Sequence, residues 1–296
     1  MHPRLTLAVL AVVLVSATPA FAQTVTTRYE AGESFGYVIE SRVTMGEGDL
    51  LYAERAVTRH DISAGPGVGI ETITITDFAR TGADGAVTDL TEAAARLEPW
   101  VVSLEEMGGV PFPLQIPADL AGALGDIQNL YRAAHPAFGA HRISEVYASY
   151  ENGEAHSREW ASLDGQSRGG NCLSANVQLT RLTDETELYR VILGPPDEAC
   201  IAMPGEAFEG HVTGTTPDNV FFVSPGETEG RVNVLTGREV NTIYVTLDRA
   251  TGRILAGELR QVLTVRVTSD CPADFDCVPG YPTEFSRETT LTLIGD

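Results

Sequence analysis

Thr242-Ile-Tyr-Val-Thr-Leu247 puts Ile243, Val245 and Leu247 on one side and Thr242, Tyr244 and Thr246 on the other. A period of two marks a strand with one buried and one solvated face. Asp248-Arg-Ala-Thr-Gly252 then turns the chain. Beyond it Leu259, Leu263, Val265 and Val267 share a face opposite Arg260, Thr264 and Arg266. A final run sets Phe285, Thr289, Leu291 and Leu293 against Glu288, Thr290 and Thr292. β-Branched and aromatic residues fill these runs, as a pleated, half-buried surface favours.

The same pattern opens the chain after residue 30. Phe35, Tyr37, Ile39, Val43 and Met45 share a face that Ser41 interrupts, and Val38, Glu40, Arg42 and Thr44 share the other. Gly46-Glu-Gly-Asp49 turns into a second strand over Leu50–Ile62. After Gly65-Pro-Gly-Val-Gly69, Ile73 and Ile75 alternate with Thr72, Thr74 and Thr76. Three such runs in succession predict an antiparallel meander. Later, Arg142–Tyr150 and Ala155–Leu163 flank Glu151-Asn-Gly-Glu154, whose Asn-Gly is a hairpin turn. Asp164–Asn171 reads as a polar, glycine-rich loop, and Val177–Leu182 and Glu187–Leu193 flank a further turn at Thr183–Thr186.

Helical signals are few. Thr88–Leu97 predicts a short helix stopped near Pro99, and Gly108–Pro117 is too rich in breakers to be regular. Pro117–Ala134 is the best helix: Leu120, Leu124, Ile127, Leu130 and Tyr131 fall at helical spacing, and Pro136 ends it. The expected fold is mainly β, a large curled antiparallel sheet of meander or half-barrel kind, with that one helix packed on or beside its apolar face. One β-rich domain is expected over residues 23–296, with any division into sub-lobes near 108–140.

Residues 1–22 read as a cleaved secretory signal peptide. Arg4 is followed by an apolar run over Leu5–Val15 and a small-x-small pattern ending at Ala22. A soluble product, periplasmic or secreted, is the expectation. No later stretch approaches the roughly 20 apolar residues a membrane helix needs. The 296 residues are enough to bury roughly 70–75% of the unfolded surface without a metal or staple.

The formal net charge is −21, and all 20 basic residues are arginine. Such acidity repels phosphate backbones, so nucleic acid is not an expected partner. It reads first as solubility; the alternative is a cationic ligand or calcium. With no lysine, Schiff-base chemistry, a lysine-bearing phosphate loop and the Ser-x-x-Lys centre are all excluded. Cys172, Cys200, Cys271 and Cys277 are even in number in an exported chain, so disulfides are expected. The pairing favoured is Cys172–Cys200 and Cys271–Cys277, the longer loop contributing ~3 kcal/mol in the chain-entropy account.

Motifs for chemistry are weak. Gly32-Glu-Ser34-Phe-Gly36 and Gly165-Gln-Ser167-Arg-Gly169 match a nucleophile elbow. Neither has the strand before and helix after that the elbow requires, and only His211 lies downstream of Ser167. After residue 22 the other histidines are His60, His135, His141 and His156. His135, His141 and Glu145 are close in sequence, but Pro136 and Gly139 break any geometry that would hold a metal. Asp274 and Asp276 in the small cysteine loop supply too few oxygens for calcium. Trp100 and Trp160 read as core, and Asp184-Glu-Thr-Glu187 as a solvated hairpin tip. No catalytic, cofactor-binding or metal-binding residue is assigned, and no cofactor is expected. A paired-carboxylate site would leave no mark in sequence spacing.

In pattern the chain resembles periplasmic carriers built as a curled antiparallel sheet with a helix at its open side, such as lipoprotein-carrier proteins. The resemblance is architectural, and no residue position is carried over. It implies a non-enzymatic binding or carrier role for a lipid, another apolar ligand or an envelope partner. The alternatives are a periplasmic hydrolase with a non-motif active site, a structural envelope module, and an outer-membrane barrel, which the helix and breaker-rich middle fit poorly.

Overall fold

The computed structural model describes residues 30–65, 69–103, 156–161, 167–196 and 218–295. The helix Pro117–Ala134, the strand Arg142–Tyr150, the stretch 108–140, His135, His141, Glu145, Cys200 and His211 lie outside them. The strands, in chain order, are β1 (Ser34–Met45), β2 (Asp49–Ser63), β3 (Ile70–Gly82), β4 (Val87–Asp89), β5 (Trp100–Ser103), β6 (His156–Ala161), β7 (Arg168–Leu182), β8 (Thr186–Gly194), β9 (Val220–Pro225), β10 (Arg231–Asp248), β11 (Ile254–Pro272) and β12 (Pro282–Ile294). The one described helix is α1 (Thr91–Ala94).

All twelve strands among the described residues join one antiparallel sheet, ordered β4-β3-β2-β1-β12-β11-β10-β8-β7-β6. β5 adds to β3, and β9 lies between β10 and β7. The first and last runs are therefore neighbours: β1 lies against β12, with Ile39 opposite Leu291 and Ser41 opposite Thr289. The expected meander and the expected C-terminal strands are halves of one surface. Tight turns set their registers. Gly46 and Gly48, at φ +59° and +109°, make the β1–β2 turn with a backbone that side-chain-bearing residues rarely adopt. Asp248 closes the β10–β11 turn by accepting from the Thr251 N–H and hydroxyl.

Register carries the alternation across strands, so one face collects the apolar residues. We call it the inner face. Phe35, Tyr37, Ile39, Ile73, Ile75, Phe78, Tyr189, Val191, Ile243, Val245, Leu247, Leu259 and Leu291 are all buried. Each large side chain buried in this way contributes about 1.5–3 kcal/mol before entropy is counted. The other face carries Glu40, Arg42, Arg59, Arg260, Glu288 and Thr290, all exposed. The sheet curls toward the inner face: the Tyr37 hydroxyl reaches over β12 to donate to the Ile254 carbonyl of β11. Register shifts in β1–β2, β2–β3, β7–β8 and β10–β11 mark the irregularities that let long strands bend.

Three details depart from the sequence expectation. Arg168-Gly-Gly-Asn171, expected as loop, begins β7, with Gly169 and Gly170 buried between β6 and β9. Partners on both sides satisfy its backbone, which local polarity does not reveal. The helix over Thr88–Leu97 shortens to Thr91–Ala94, because Val87–Asp89 pairs with β3 instead. β5, β9 and the first half of β10 are not among the strands that alternation predicts.

That region holds a break that one side chain repairs. β8 and β9 occupy successive parts of one lane between β10 and β7: Leu193 lies opposite Asn241, while Val220 lies opposite Gly237. In the gap the Asn219 side chain stands in for a strand. Its Nδ2 donates to the Glu239 carbonyl at 3.0 Å, and its Oδ1 accepts from the Glu239 N–H at 2.7 Å. Asn219→Ala is expected to cost about 2 kcal/mol, because two backbone groups in a covered sheet lose their partner. The urea midpoint measures it, and an unchanged midpoint contradicts the role.

A second, smaller core lies on the opposite face at the same end. Strand alternation turns Val234 away from the side of Glu239 and Asn241. It packs with Phe221, Val223 and Cys271, and Val232, Phe275 and Cys277 close over them. The Cys271–Cys277 disulfide pins the loop between β11 and β12, as expected. Cys172 is also disulfide-bonded; its expected partner, Cys200, is not among the described residues.

Candidate functional site: the inner face of the sheet

Following register across the inner face gives three zones. The first is aromatic and sealed. The His60 ring stacks on Phe35 at 5.1 Å between centroids, and Tyr37 meets it edge-on at 4.9 Å. Arg253 lies over Phe35 and pairs with Glu33 at 3.0 Å, tying the β10–β11 turn to the start of β1. Here His60 Nδ1 sits 2.6 Å from Glu71 Oε1, and His60 Nε2 sits 2.9 Å from the Thr58 hydroxyl. In the neutral imidazole Nδ1–H donates to Glu71 and Thr58 donates to Nε2. Hydroxyl, imidazole and carboxylate thus form a nucleophile–base–acid chain by distance. Yet His60 and Glu71 are 0% exposed and Thr58 1%. Such a chain braces β1, β2 and β3; it does not meet a substrate.

The second zone is a polar band that runs from β10 across to β3. One row runs Asn241, Gln261, Arg287, Val43, Tyr52, and the next runs Leu259, Thr289, Ser41, Glu54, Arg80. Arg80 packs over the Tyr52 ring at 4.1 Å and approaches Glu54 at 3.3 Å. Glu239, at the β10 end, accepts from both Asn241 and Gln261. Alternation predicted Ser41 and Thr289 on this face, but not the partners that make them tolerable there.

The third zone lies beyond the band and is apolar again, but open. Leu263, Phe285 and Met45 run in a row from Glu239. Phe222, Leu235 and Val267 form a parallel row past Gly237. Val267 is 51% exposed, Phe222 37% and Met45 36%, whereas the aromatic zone is closed to solvent. Exposed apolar neighbours on a curved face mark a place for an apolar partner.

The residues singled out from sequence fall elsewhere. Ser34 faces outward and donates to Asp61 Oδ1 at 2.7 Å. Hydrogen bonds from Arg59 and then Ser34 hold that carboxyl below its ordinary range. Ser167 precedes β7, Trp100 opens β5, and Trp160 and His156 lie in β6. Asp274 and Asp276 lie in the disulfide loop, where Asp274 accepts from the Asp276 N–H. Asp184 and Glu185 are exposed as expected of a hairpin tip, but Glu187 is buried. It accepts from the Tyr189 hydroxyl and pairs with Arg249 at 3.4 Å. Burial, then Glu187, pushes the Tyr189 hydroxyl up, so it stays a donor.

The outer face offers one competing feature. An open depression of about 600 Å³ lies where Ala256 and Gly257 leave room between Leu188, Tyr244, Glu258 and Thr292. Its Glu258–Arg260 pair, at 2.8 Å, cancels the local charge. Among the described residues no group of three or more metal-ligating side chains converges. No helix among them is long and apolar enough to cross a membrane.

No family model and no curated protein matches the chain. Among solved structures it is similar to a chain titled "Lipid-protein interactions in lipovitellin", with 11% identity and a TM-score of 0.43 over 90% of this chain. It spans 26% of that chain. A mutant porin of Rh. blastica is similar at 9% identity and a TM-score of 0.17, covering 88% of this chain and 99% of the porin. At such scores neither likeness says anything about function.

Proposed function

We propose that the protein is an exported, non-enzymatic binding or carrier protein that takes an apolar ligand, such as a lipid, on the inner face of its sheet. The open apolar zone carries this reading. Leu235, Leu263, Phe285, Phe222, Val267 and Met45 continue a face that is otherwise closed, and they lie against a fixed polar band. Such a surface suits an amphiphile, with chain on the apolar rows and head on the band. The charged outer face argues against a lipid-facing barrel, which needs an apolar band outside. Export to the periplasm or beyond is part of the proposal and rests on residues 1–22.

Nile red titration of the purified protein tests it. Emission is expected to rise and shift blue, with a saturable isotherm. Phe222→Ser with Val267→Ser removes two partly exposed apolar side chains, so the fold should persist. About 1.5–3 kcal/mol of lost apolar contact weakens the dye by about tenfold or more. No saturable binding, or an affinity unmoved by the double variant, contradicts the reading.

A further inference from the structure

We infer that Glu239 is the anchoring group for the head of a cationic amphiphile, an alkylammonium or its like; this rests on the ligand-binding reading above. Four hydrogen bonds fix the residue. Asn219 holds its backbone N–H and carbonyl at 2.7 and 3.0 Å. Asn241 Nδ2 and Gln261 Nε2 both donate to Oε1, at 2.8 and 2.6 Å. Oε2 bonds to none of the described residues, and no arginine or histidine among them pairs with this carboxylate. A half-buried carboxylate so held is an acceptor already oriented for a donor that arrives with a ligand.

Its position fits that donor to an apolar tail. Leu263 lies directly opposite on β11, Phe285 opposite Leu263 on β12, and Met45 opposite Phe285 on β1. A chain laid along this row leaves the face at exposed Met45, with its head at Glu239. Carboxylate and phosphate heads are disfavoured at a fixed anion, and the net charge of −21 repels them at longer range. The same charge draws an ammonium in.

The test compares dodecylammonium, dodecanol and dodecanoate at submicellar concentration, each displacing Nile red from the full protein. The unsubstituted protein is expected to bind dodecylammonium about tenfold more tightly than dodecanol, and dodecanoate most weakly. Glu239→Gln should bring the amine down to the alcohol and leave the alcohol unmoved. Glu258→Gln, on the outer face, removes the same charge and should keep the preference. Equal binding of amine and alcohol by the unsubstituted protein overturns the assignment, whatever the variants do. So does a preference that survives Glu239→Gln or disappears in Glu258→Gln. If the three probes bind alike, the carrier reading stands and the anchor fails; if neither they nor the dye bind, both fail.

Discussion

Glu71→Ala is expected to lower the unfolding free energy by about 3 kcal/mol or more, the cost of breaking a buried hydrogen-bonded acid–base pair. The Glu71 carboxylate and the His60 imidazole are 2.6 Å apart and both wholly buried. The ring cannot turn to other partners, because Thr58 holds its far nitrogen, Phe35 stacks on it and Tyr37 meets it edge-on. The accompanying double variant, His60→Phe with Glu71→Leu, replaces the pair with apolar groups. It should recover most of the loss, because the cost lies in the half-broken pair and not in lost volume. Urea unfolding of the single and double variants reads both effects. A single-variant loss under about 1 kcal/mol contradicts the bracing role.

Gly237→Ala is expected to be as damaging, through contact rather than charge. A Cβ there would stand 2.2 Å from the Thr264 carbonyl oxygen and 2.8 Å from the Val265 Cα. Both are backbone atoms, so no rotamer relieves the collision. β10 and β11, the longest pair in the sheet, would have to part beside the Asn219 repair. A destabilisation of about 3 kcal/mol follows from overpacking at backbone, the upper end of what added volume usually costs. Scanning calorimetry measures it as a fall in Tm of about 4 °C or more. An unchanged Tm means that β10 and β11 have room the structure does not show.

Alternation made the sheet legible. The inner-face sets on β1, β10, β11 and β12 are the ones the period of two predicts, because a half-buried strand must alternate wherever it lies in the chain. The cysteine loop was legible too, since Cys271 and Cys277 are separated by only six positions in sequence and can close a short loop between two strands. The partners were not. Nothing local says that β1 pairs with β12, or that Glu187 points inward while Glu185 does not. β9 had a signal, the apolar run Val220-Phe-Phe-Val223 before Pro225-Gly226, but a single short run does not announce a broken lane. The Thr58–His60–Glu71 chain was recoverable in part. Thr58 and His60 share a strand face, and Glu71 follows the next turn, so a hairpin register would have brought them together. Glu239 had no mark at all: its fixity comes from Asn219, 20 residues away, and Gln261, 22 away.

Photo-crosslinking with a diazirine-bearing dodecylamine, mapped by peptide mass spectrometry, addresses the inner face most directly. Adducts on Leu235, Leu263, Phe285 or Met45, competed by unlabelled dodecylamine, are the predicted result. Adducts confined to Tyr244, Thr246 and Ala256 in the outer depression, or scattered labelling that competitor does not reduce, would contradict it.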